Sequence, residues 1–214
     1  MFRSGIVCLL ACCLLAGPAL AADNSCREQI IAAFSKQRSL SAYRMVGERS
    51  SEKGPVEVTE EYLPPDRMRH VIVATGQPPL ETVLVGMRAW SRQGSSWEEL
   101  MPGIAQTIIA QVKNATAVPP TDVGEFACAG KATIDGKEYL AYRSVDKPGS
   151  VVPNGPGGTP VHRTLYVDPE TGLPAYNIVA EEKEGTVPLF KGTYSYPTDL
   201  AIEGHPNAPL AKIR

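Results

Sequence analysis

The side chains that most often carry out chemistry are few and widely spaced in this sequence of 214 residues. Its three histidines, His70, His162 and His205, form neither an H-x-x-x-H nor an H-E-x-x-H pair, which leaves a zinc site with little support. No G-x-S-x-G segment supplies the nucleophile turn of many hydrolases. The segment Gly155–Gly158 lacks the Lys-Ser/Thr that a phosphate-binding loop needs. We therefore predict that the protein is not an enzyme and uses neither a metal nor a cofactor.

Adjacent acidic residues could suggest a pair of catalytic carboxylates. Neighbouring residues of a strand point to opposite faces, however, so such residues cannot work on one bond together. We interpret them as solvated charge at the edges of a sheet, where charge discourages edge-to-edge aggregation. The pairs are Glu60-Glu61, Glu98-Glu99 and Glu181-Glu182.

The N-terminus has the pattern of a secretory signal peptide. Arg3 precedes the uncharged apolar run Gly5–Gly17, and a small-x-small signal ends at Ala21. We predict that residues 1–21 are removed after Ala21, that residues 22–214 form a single domain, and that this domain is periplasmic. The apolar run is shorter than the roughly 20 residues that span a bilayer, and no later segment approaches that length. An alternative remains open, because the segment before Cys12 loosely resembles the signal for lipid attachment at a cysteine.

Export changes the interpretation of the cysteines. Three of the five cysteines lie in the apolar run, so the mature chain retains only Cys26 and Cys128. In an oxidising compartment two such cysteines predict one disulfide, and no C-x-x-C pattern favours a redox role.

The charge balance limits the partners. The sequence has 21 Lys and Arg against 23 Asp and Glu, with no basic run. Neither nucleic acid nor an anionic membrane surface is therefore expected as an electrostatic partner.

The hydrophobic pattern predicts two helices and a large antiparallel sheet. An apolar stripe from Cys26 to Phe34 and the segment Pro102–Ala115 have helical spacing. Period-two alternation and short turns elsewhere favour a strongly curved antiparallel sheet of about eight to ten strands, with both helices on its concave side. Within it, Leu80–Arg92 is predicted to be one long strand. The Pro/Gly-rich segment Lys147–Pro160 is interpreted as a mobile loop at a sheet edge or cavity mouth.

Three segments of the sequence resemble a known family. They are Pro65-Asp66-Arg67-Met68-Arg69 before a strand, Val83-Leu84-Val85-Gly86 followed by Ala89-Trp90, and the segment Leu165–Pro174. Together they are similar to the periplasmic lipoprotein-carrier superfamily, which includes LolA/LolB-like and LppX-like carriers and the N-terminal domain of RseB-like regulators. This resemblance implies a mainly β (α+β) fold, an unclosed half-barrel with short helices on its concave face. It also implies an apolar cavity that takes a lipid or an acyl chain.

Inward-facing apolar residues are candidates for lining such a cavity, and three methionines among them suit an adaptable lining. The alternative is that they form an ordinary core, because alternation does not distinguish a filled interior from an open one. The candidates are Met45, Val58, Met68, Ile72, Val83, Val85, Met87, Ile104, Ile108 and Ile109.

Three functions remain open at this point. The first is a carrier or chaperone that binds a hydrophobic ligand without catalysis. The second is an RseB-like interaction or sensing module that recognises another envelope protein and has little or no cavity. The third is a purely structural envelope protein. A carrier should copurify with lipid, whereas a sensing module should require a protein partner.

Overall fold

The computed structural model describes residues 24–51, 53–121, 123–145, 160–182, 185 and 187–212. The predicted signal peptide with its cleavage after Ala21, the alternative at Cys12, and nearly all of the predicted loop Lys147–Pro160 lie outside these residues. Among the helices described, none is long and apolar enough to cross a membrane.

The described part of the chain forms two helices and eleven strands. Helix α1 spans Asn24–Arg38 and helix α2 spans Pro102–Thr116, close to the predicted limits. The proline at the start of α2 costs little, because the first backbone N–H groups of a helix have no partner within it. The strands are β1 Tyr43–Arg49, β2 Val56–Leu63, β3 Arg67–Ala74, β4 Leu80–Val85, β5 Arg88–Gln93, β6 Trp97–Glu99, β7 Phe126–Ile134, β8 Lys137–Ser144, β9 Val161–Val167, β10 Pro174–Glu181 and β11 Phe190–Ser195.

All strands belong to one antiparallel sheet with the order β6-β5-β4-β3-β2-β1-β11-β10-β9-β8-β7. Strands β1 to β6 form one meander and β7 to β11 form a second, and the pairing of β1 with β11 joins them. Helix α2 connects the two meanders along the chain. Because β6 and β7 lie at opposite edges, the sheet is an open half-barrel, as the resemblance implies.

Both helices pack on the same face of the sheet, which we call the inner face. On α1, Ile30 and Phe34 are buried against Phe126 and Leu165. On α2, Ile109 and Val112 are buried with apolar residues of β3, β4 and β5, which are Met68, Leu84 and Ala89. Burial of these apolar stripes is the main force that holds each helix on the sheet.

The opposite face, which we call the outer face, is partly covered by the C-terminal segment. Ile202 packs there in a cluster with Val83 and Trp90. The segment then reaches the edge strand β6, where the Glu99 N–H donates to the carbonyl of Pro209 at 2.8 Å. This pairing protects an edge that would otherwise present free backbone groups.

One predicted strand was wrong, because Leu80–Arg92 is the hairpin of β4 and β5 rather than one long strand. Gly86 turns the chain with a φ of 62°, a conformation that residues with a side chain rarely adopt. Its N–H donates to the Asp66 carbonyl at 3.0 Å, which anchors the turn. Met87 therefore lies in an exposed turn.

The predicted disulfide is present between Cys26 and Cys128, whose Cα atoms are 5.4 Å apart. It ties the first turn of α1 to the edge strand β7. Cys26 is buried in the cluster that Ile30 and Phe34 form with the sheet, which we call the α1 cluster. The bridge therefore adds a covalent link to the packing of α1 on the sheet.

Candidate functional site

Part of the inner face carries apolar side chains that neither helix covers. The helices pack mainly on β4, β5, β7 and β10. Between them, Val58 on β2 lies directly opposite Ile72 on β3, and Ile72 lies opposite Leu80 on β4. We call this surface the inner groove, and its residues are Met45, Val58, Ile72, Leu80 and Phe190.

The inner groove is half-buried and does not belong to a packed core. Leu80 is 37% exposed, and Met45, Val58, Ile72 and Phe190 have intermediate exposure. None of the five is a member of the clusters that hold α1 or α2 among the described residues. Contiguous apolar surface left open in this way indicates a place for a ligand or a partner.

Two glycines shape the floor of the inner groove. Gly47 on β1 faces Gly192 on β11. The ring of Phe190 lies across this pair, 2.5 Å from the position that a Cβ on Gly47 would occupy. Glycine at position 47 therefore allows the Phe190 ring to lie flat on the sheet.

The structure brings together only some of the ten candidate cavity residues. Met45, Val58 and Ile72 are neighbours in the inner groove. Met68 on β3 and Ile108 and Ile109 on α2 also lie on the inner side, but they pack in the core between α2 and the sheet.

The other four candidates lie elsewhere. Val83 and Val85 face the opposite side of β4 from Leu84, and they pack with the C-terminal segment on the outer face. Met87 is 63% exposed in the hairpin turn, and Ile104 is 46% exposed on the solvent side of α2. The hairpin at Gly86 accounts for Met87, because an unbroken strand would continue the alternation through it, whereas Val83 and Val85 lie on the face that the C-terminal segment covers.

Beside the inner groove, between α1 and the middle of the sheet, is a cavity of about 160 Å³. We call it the central cavity. Met45 belongs to both, so the two are continuous. The lining is more polar than the sequence predicted and comprises Phe34, Gln37, Arg38, Tyr43, Met45, Glu60, Tyr62, Ala115, Val123, Arg163 and Tyr194.

Three tyrosines form the aromatic wall of the central cavity. The rings of Tyr43 and Tyr62 are stacked with their centroids 4.9 Å apart. The Tyr43 hydroxyl donates to the Ala115 carbonyl at 2.9 Å, near the C-terminus of α2. Burial raises the pKa of Tyr43, Tyr62 and Tyr194, so these phenols are neutral at physiological pH.

Arg38 connects the central cavity to the end of α2. Its Nη1 donates to the carbonyls of Asn114 and Ala117, both at 3.1 Å. These carbonyls lack partners within the helix, and a cation at this end also meets the favourable part of the helix dipole. Burial lowers the pKa of Arg38, an effect that Tyr43 and Tyr194 partly offset.

Two further charged residues line the central cavity. Arg163 on β9 donates from Nε to the Oδ1 of Asn177 at 2.8 Å. Glu60 lies beside His70 on the neighbouring strand. Burial raises the pKa of Glu60, and the nearby His70 partly counteracts that rise.

The interpretation of Glu60-Glu61 as solvated edge charge was wrong. Strand β2 is central in the sheet, so neither carboxylate lies at an edge. Glu60 faces the central cavity, whereas Glu61 faces outward and is 2% exposed. Glu61 accepts hydrogen bonds from Arg44 at 2.6 Å and Arg69 at 3.1 Å.

A second, more apolar pocket of about 300 Å³ lies at the β4–β5 turn beside α2. Leu84, Ile109 and Val112 form its apolar wall, and Met87 lies at its margin. Asp66 and Lys113 supply the charged part of the lining. Of the ten predicted cavity residues, Met87 and Ile109 therefore line a pocket, but a different one from the central cavity.

Within the described ranges no group of three or more His, Cys, Asp or Glu side chains could hold a metal ion.

The polar and charged residues that line the central cavity were not among the sequence candidates. A signal for two of them was available, because Glu60 and Tyr62 share the strand face of Val58. A charged residue on the apolar side of an alternating strand points to a polar site. No local pattern marks Arg38, Arg163 or Tyr194.

No protein-family model and no curated protein matches the sequence. Solved structures do match the fold. The lipoprotein LppX of Mycobacterium tuberculosis is 12% identical, with 85% of this chain and all (100%) of that chain covered and a TM-score of 0.54. An uncharacterised conserved protein from Thermus thermophilus is 11% identical, with 86% and 98% covered and a TM-score of 0.51. LprF from Mycobacterium bovis is 14% identical, with 86% and 98% covered and a TM-score of 0.48.

Proposed function

We propose that this chain, whose fold is that of the LolA-, LppX- and RseB-like superfamily, is an exported envelope protein that binds an amphiphile without catalysis. The apolar part of the ligand lies along the inner groove, and its polar part reaches the central cavity. The protein would act as a carrier or chaperone for a lipid or for the acyl chains of a lipoprotein.

The open inner groove is the observation that carries this proposal. Val58, Ile72 and Leu80 form an apolar row across three neighbouring strands, and this row is left half-exposed. Covering such a surface with an alkyl chain stabilises the complex by about 0.8 kcal/mol for each buried CH₂ group. No catalytic group is needed for this kind of binding.

The dimensions of the cavities favour a ligand that lies in the groove and is not enclosed. The central cavity measures about 160 Å³, below the roughly 300–1,000 Å³ of enclosed small-molecule sites. It can therefore hold a polar group but not a whole acyl chain. The chain of an amphiphile needs the open surface that begins at Met45.

Two neighbouring residues of β3 give a matched test. Ile72 lies in the inner groove, whereas Val73 points to the outer face and is 40% exposed. We expect Ile72→Asp to abolish the emission gain of a fluorescent fatty-acid probe, because a carboxylate in the groove opposes burial of the chain. Val73→Asp should bind the probe like the unmodified protein.

Equal binding by both variants, or equal loss in both while their circular dichroism spectra stay unchanged, would refute the groove as the binding surface. Mass spectrometry of an organic extract of the protein, purified from the envelope fraction, identifies the natural ligand. Recovery of the protein with its first 21 residues intact in the cytoplasm would refute the proposed export.

A second candidate function is supported by the outer face. A hollow of about 360 Å³ lies over β1 and β11, with Val46, Val187 and Pro188 beside charged residues. Val187 is 79% exposed and Val46 is 39% exposed. Such a surface suits a protein partner, as an RseB-like interaction module would require. Loss of cellular function in Val46→Asp with normal probe binding would favour this second candidate over the carrier.

A further inference from the structure

The central cavity contains an imbalance of charge. Of the described residues that line it, Arg38 and Arg163 are cationic and Glu60 is the one carboxylate. The formal sum is one positive charge in a space of about 160 Å³ that is partly shielded from water. Both arginines have intermediate exposure, and an opposite charge beside them is favoured because the attraction between charges strengthens where water is partly excluded.

Neither arginine has a carboxylate partner among the described residues. The ion pairs of this part of the chain, with N–O distances up to 4.0 Å, include neither Arg38 nor Arg163. Arg38 is partly balanced by the carbonyls of Asn114 and Ala117 at the end of α2. The partners of Arg163 are the Asn177 amide and the Tyr194 phenol, both neutral, so it is the less compensated of the two cations.

The strand register places Arg163 at the end of the inner groove. Arg163 on β9 lies opposite Val179 on β10, and Val179 lies opposite Phe190 on β11. Two strand spacings separate the backbone positions of Arg163 and Phe190, which is roughly 10 Å. A group bound at Arg163 could therefore belong to the same molecule as a chain that lies on Phe190 and Met45.

We propose that the central cavity holds the negative charge of a monoanionic amphiphile, a carboxylate or a phosphodiester, between Arg163 and Arg38. This inference rests on the proposed binding function and specifies the class of ligand. A single negative charge neutralises the excess charge of the lining. Guanidinium groups suit this task because their planar N–H groups match the two oxygens of such an anion. Glu60 disfavours ligands with a second negative charge.

The test compares two probes with the same chain and fluorophore, one with a negatively charged head group and one with a neutral head group. One is 11-(dansylamino)undecanoic acid, and the other is its methyl ester, which has the same chain and fluorophore. Hydrogen bonds to a charged group make the acid bind about tenfold to hundredfold more tightly than the ester. Dissociation constants are measured by dansyl emission with the folded chain.

Variants at two positions assign the effect to the cavity. Arg163→Met should weaken binding of the acid far more than binding of the ester. Arg163→Lys should retain most of the preference for the acid because it keeps the charge. Arg143→Met is the matched control, since Arg143 lies on the neighbouring strand and forms an exposed ion pair with Glu182 at 3.4 Å. Its preference for the acid should equal that of the unmodified protein.

The outcomes separate the two proposals. If neither probe binds the unmodified protein, the proposed function itself fails. If the ester binds as tightly as the acid, or if Arg143→Met abolishes the preference as Arg163→Met does, the anion site is refuted and the groove stands. Release of the bound acid by free acetate or inorganic phosphate at an equal concentration would refute the assignment of the ligand as an amphiphile. The cavity would then be a site for small anions.

Discussion

The disulfide that ties α1 to the edge of the sheet permits a quantitative test of what holds this half-barrel together. Cys26 and Cys128 are separated by 102 residues along the chain. In the chain-entropy model a loop of about 100 residues restricts the unfolded state enough to stabilise the fold by about 4.7 kcal/mol. Domains of this size have total stabilities of about 5–15 kcal/mol. Loss of the bridge should therefore remove about three tenths or more of the stability.

In urea unfolding, the free energy of unfolding should fall by nearly the same amount, about 4–5 kcal/mol, in Cys26→Ala, in Cys128→Ala and in the double variant. Either single change already breaks the bridge, so the two effects cannot add. Cys128→Ala is the cleaner perturbation, because the side chain of Cys128 is exposed whereas that of Cys26 is 1% exposed in the α1 cluster. The dependence of the unfolding free energy on urea should also steepen, since an unbridged unfolded chain exposes more surface.

Two results would contradict this reasoning. The first is a pair of single-variant losses that sum to the loss of the double variant, which would mean that each cysteine acts through its own packing. The second is a loss below about 1 kcal/mol, well under the entropic expectation. Mass spectrometry of the oxidised protein must find no free thiol on either residue, and finding two would remove the premise.

Three further predictions concern the packing and the charges. Leu84→Ala should lower the free energy of unfolding by about 2–5 kcal/mol in urea unfolding, because Leu84 is 1% exposed beneath Ile109 of α2; a loss below about 1 kcal/mol would contradict the packing of α2. Burial alone raises the pKa of Glu81, but hydrogen bonds from Arg69 and Arg92 outweigh it and lower the pKa below 4.5. The stabilisation from ionised Glu81 is then complete above pH 4.5 and is lost as the pH falls through the lowered pKa. Glu81→Gln should therefore lower the Tm at pH 7 and have less effect at pH 3, and an equal effect at both would be evidence against the pairing. For Glu60 the sign reverses, because burial raises its pKa above 4.5 and stability is lost as the pH rises through that window. The Tm of Glu60→Gln minus the Tm of the unmodified protein should therefore increase from pH 4 to pH 7. If this difference were the same at both pH values, Glu60 would be well solvated.

The sequence was sufficient for most of the secondary structure and for the fold class. Helical spacing located α1 and α2, and period-two alternation with short turns predicted the large antiparallel sheet. These signals are local, since alternation and turn residues act over only a few positions. The hairpin at Gly86 was missed for the same reason. A lone glycine followed by methionine is a weak turn signal, and the hydrogen bond to Asp66 that anchors this turn comes from another hairpin of the chain.

The candidate site was harder to predict because it depends on which face of the sheet each set of alternating residues occupies. Ile72 and Val83 both occur in alternating apolar segments, yet one lies in the inner groove and the other beneath the C-terminal segment. An alternating pattern shows that two sets of residues point apart, but it does not say which set points inward. That choice depends on which face the helices and the C-terminal segment cover.

By itself, the sequence determined most of the strands, the two helices, the pairing of Cys26 with Cys128 and the absence of recognisable catalytic motifs, because each of these follows from residue type and short spacing. Only the tertiary structure decided that Glu60 and Arg163 line one cavity. The pairing of β1 with β11 brings together two meanders that are distant in the sequence, and it places these residues on one face. Contacts of this kind depend on long-range strand pairing and register, which the local pattern of residues does not encode.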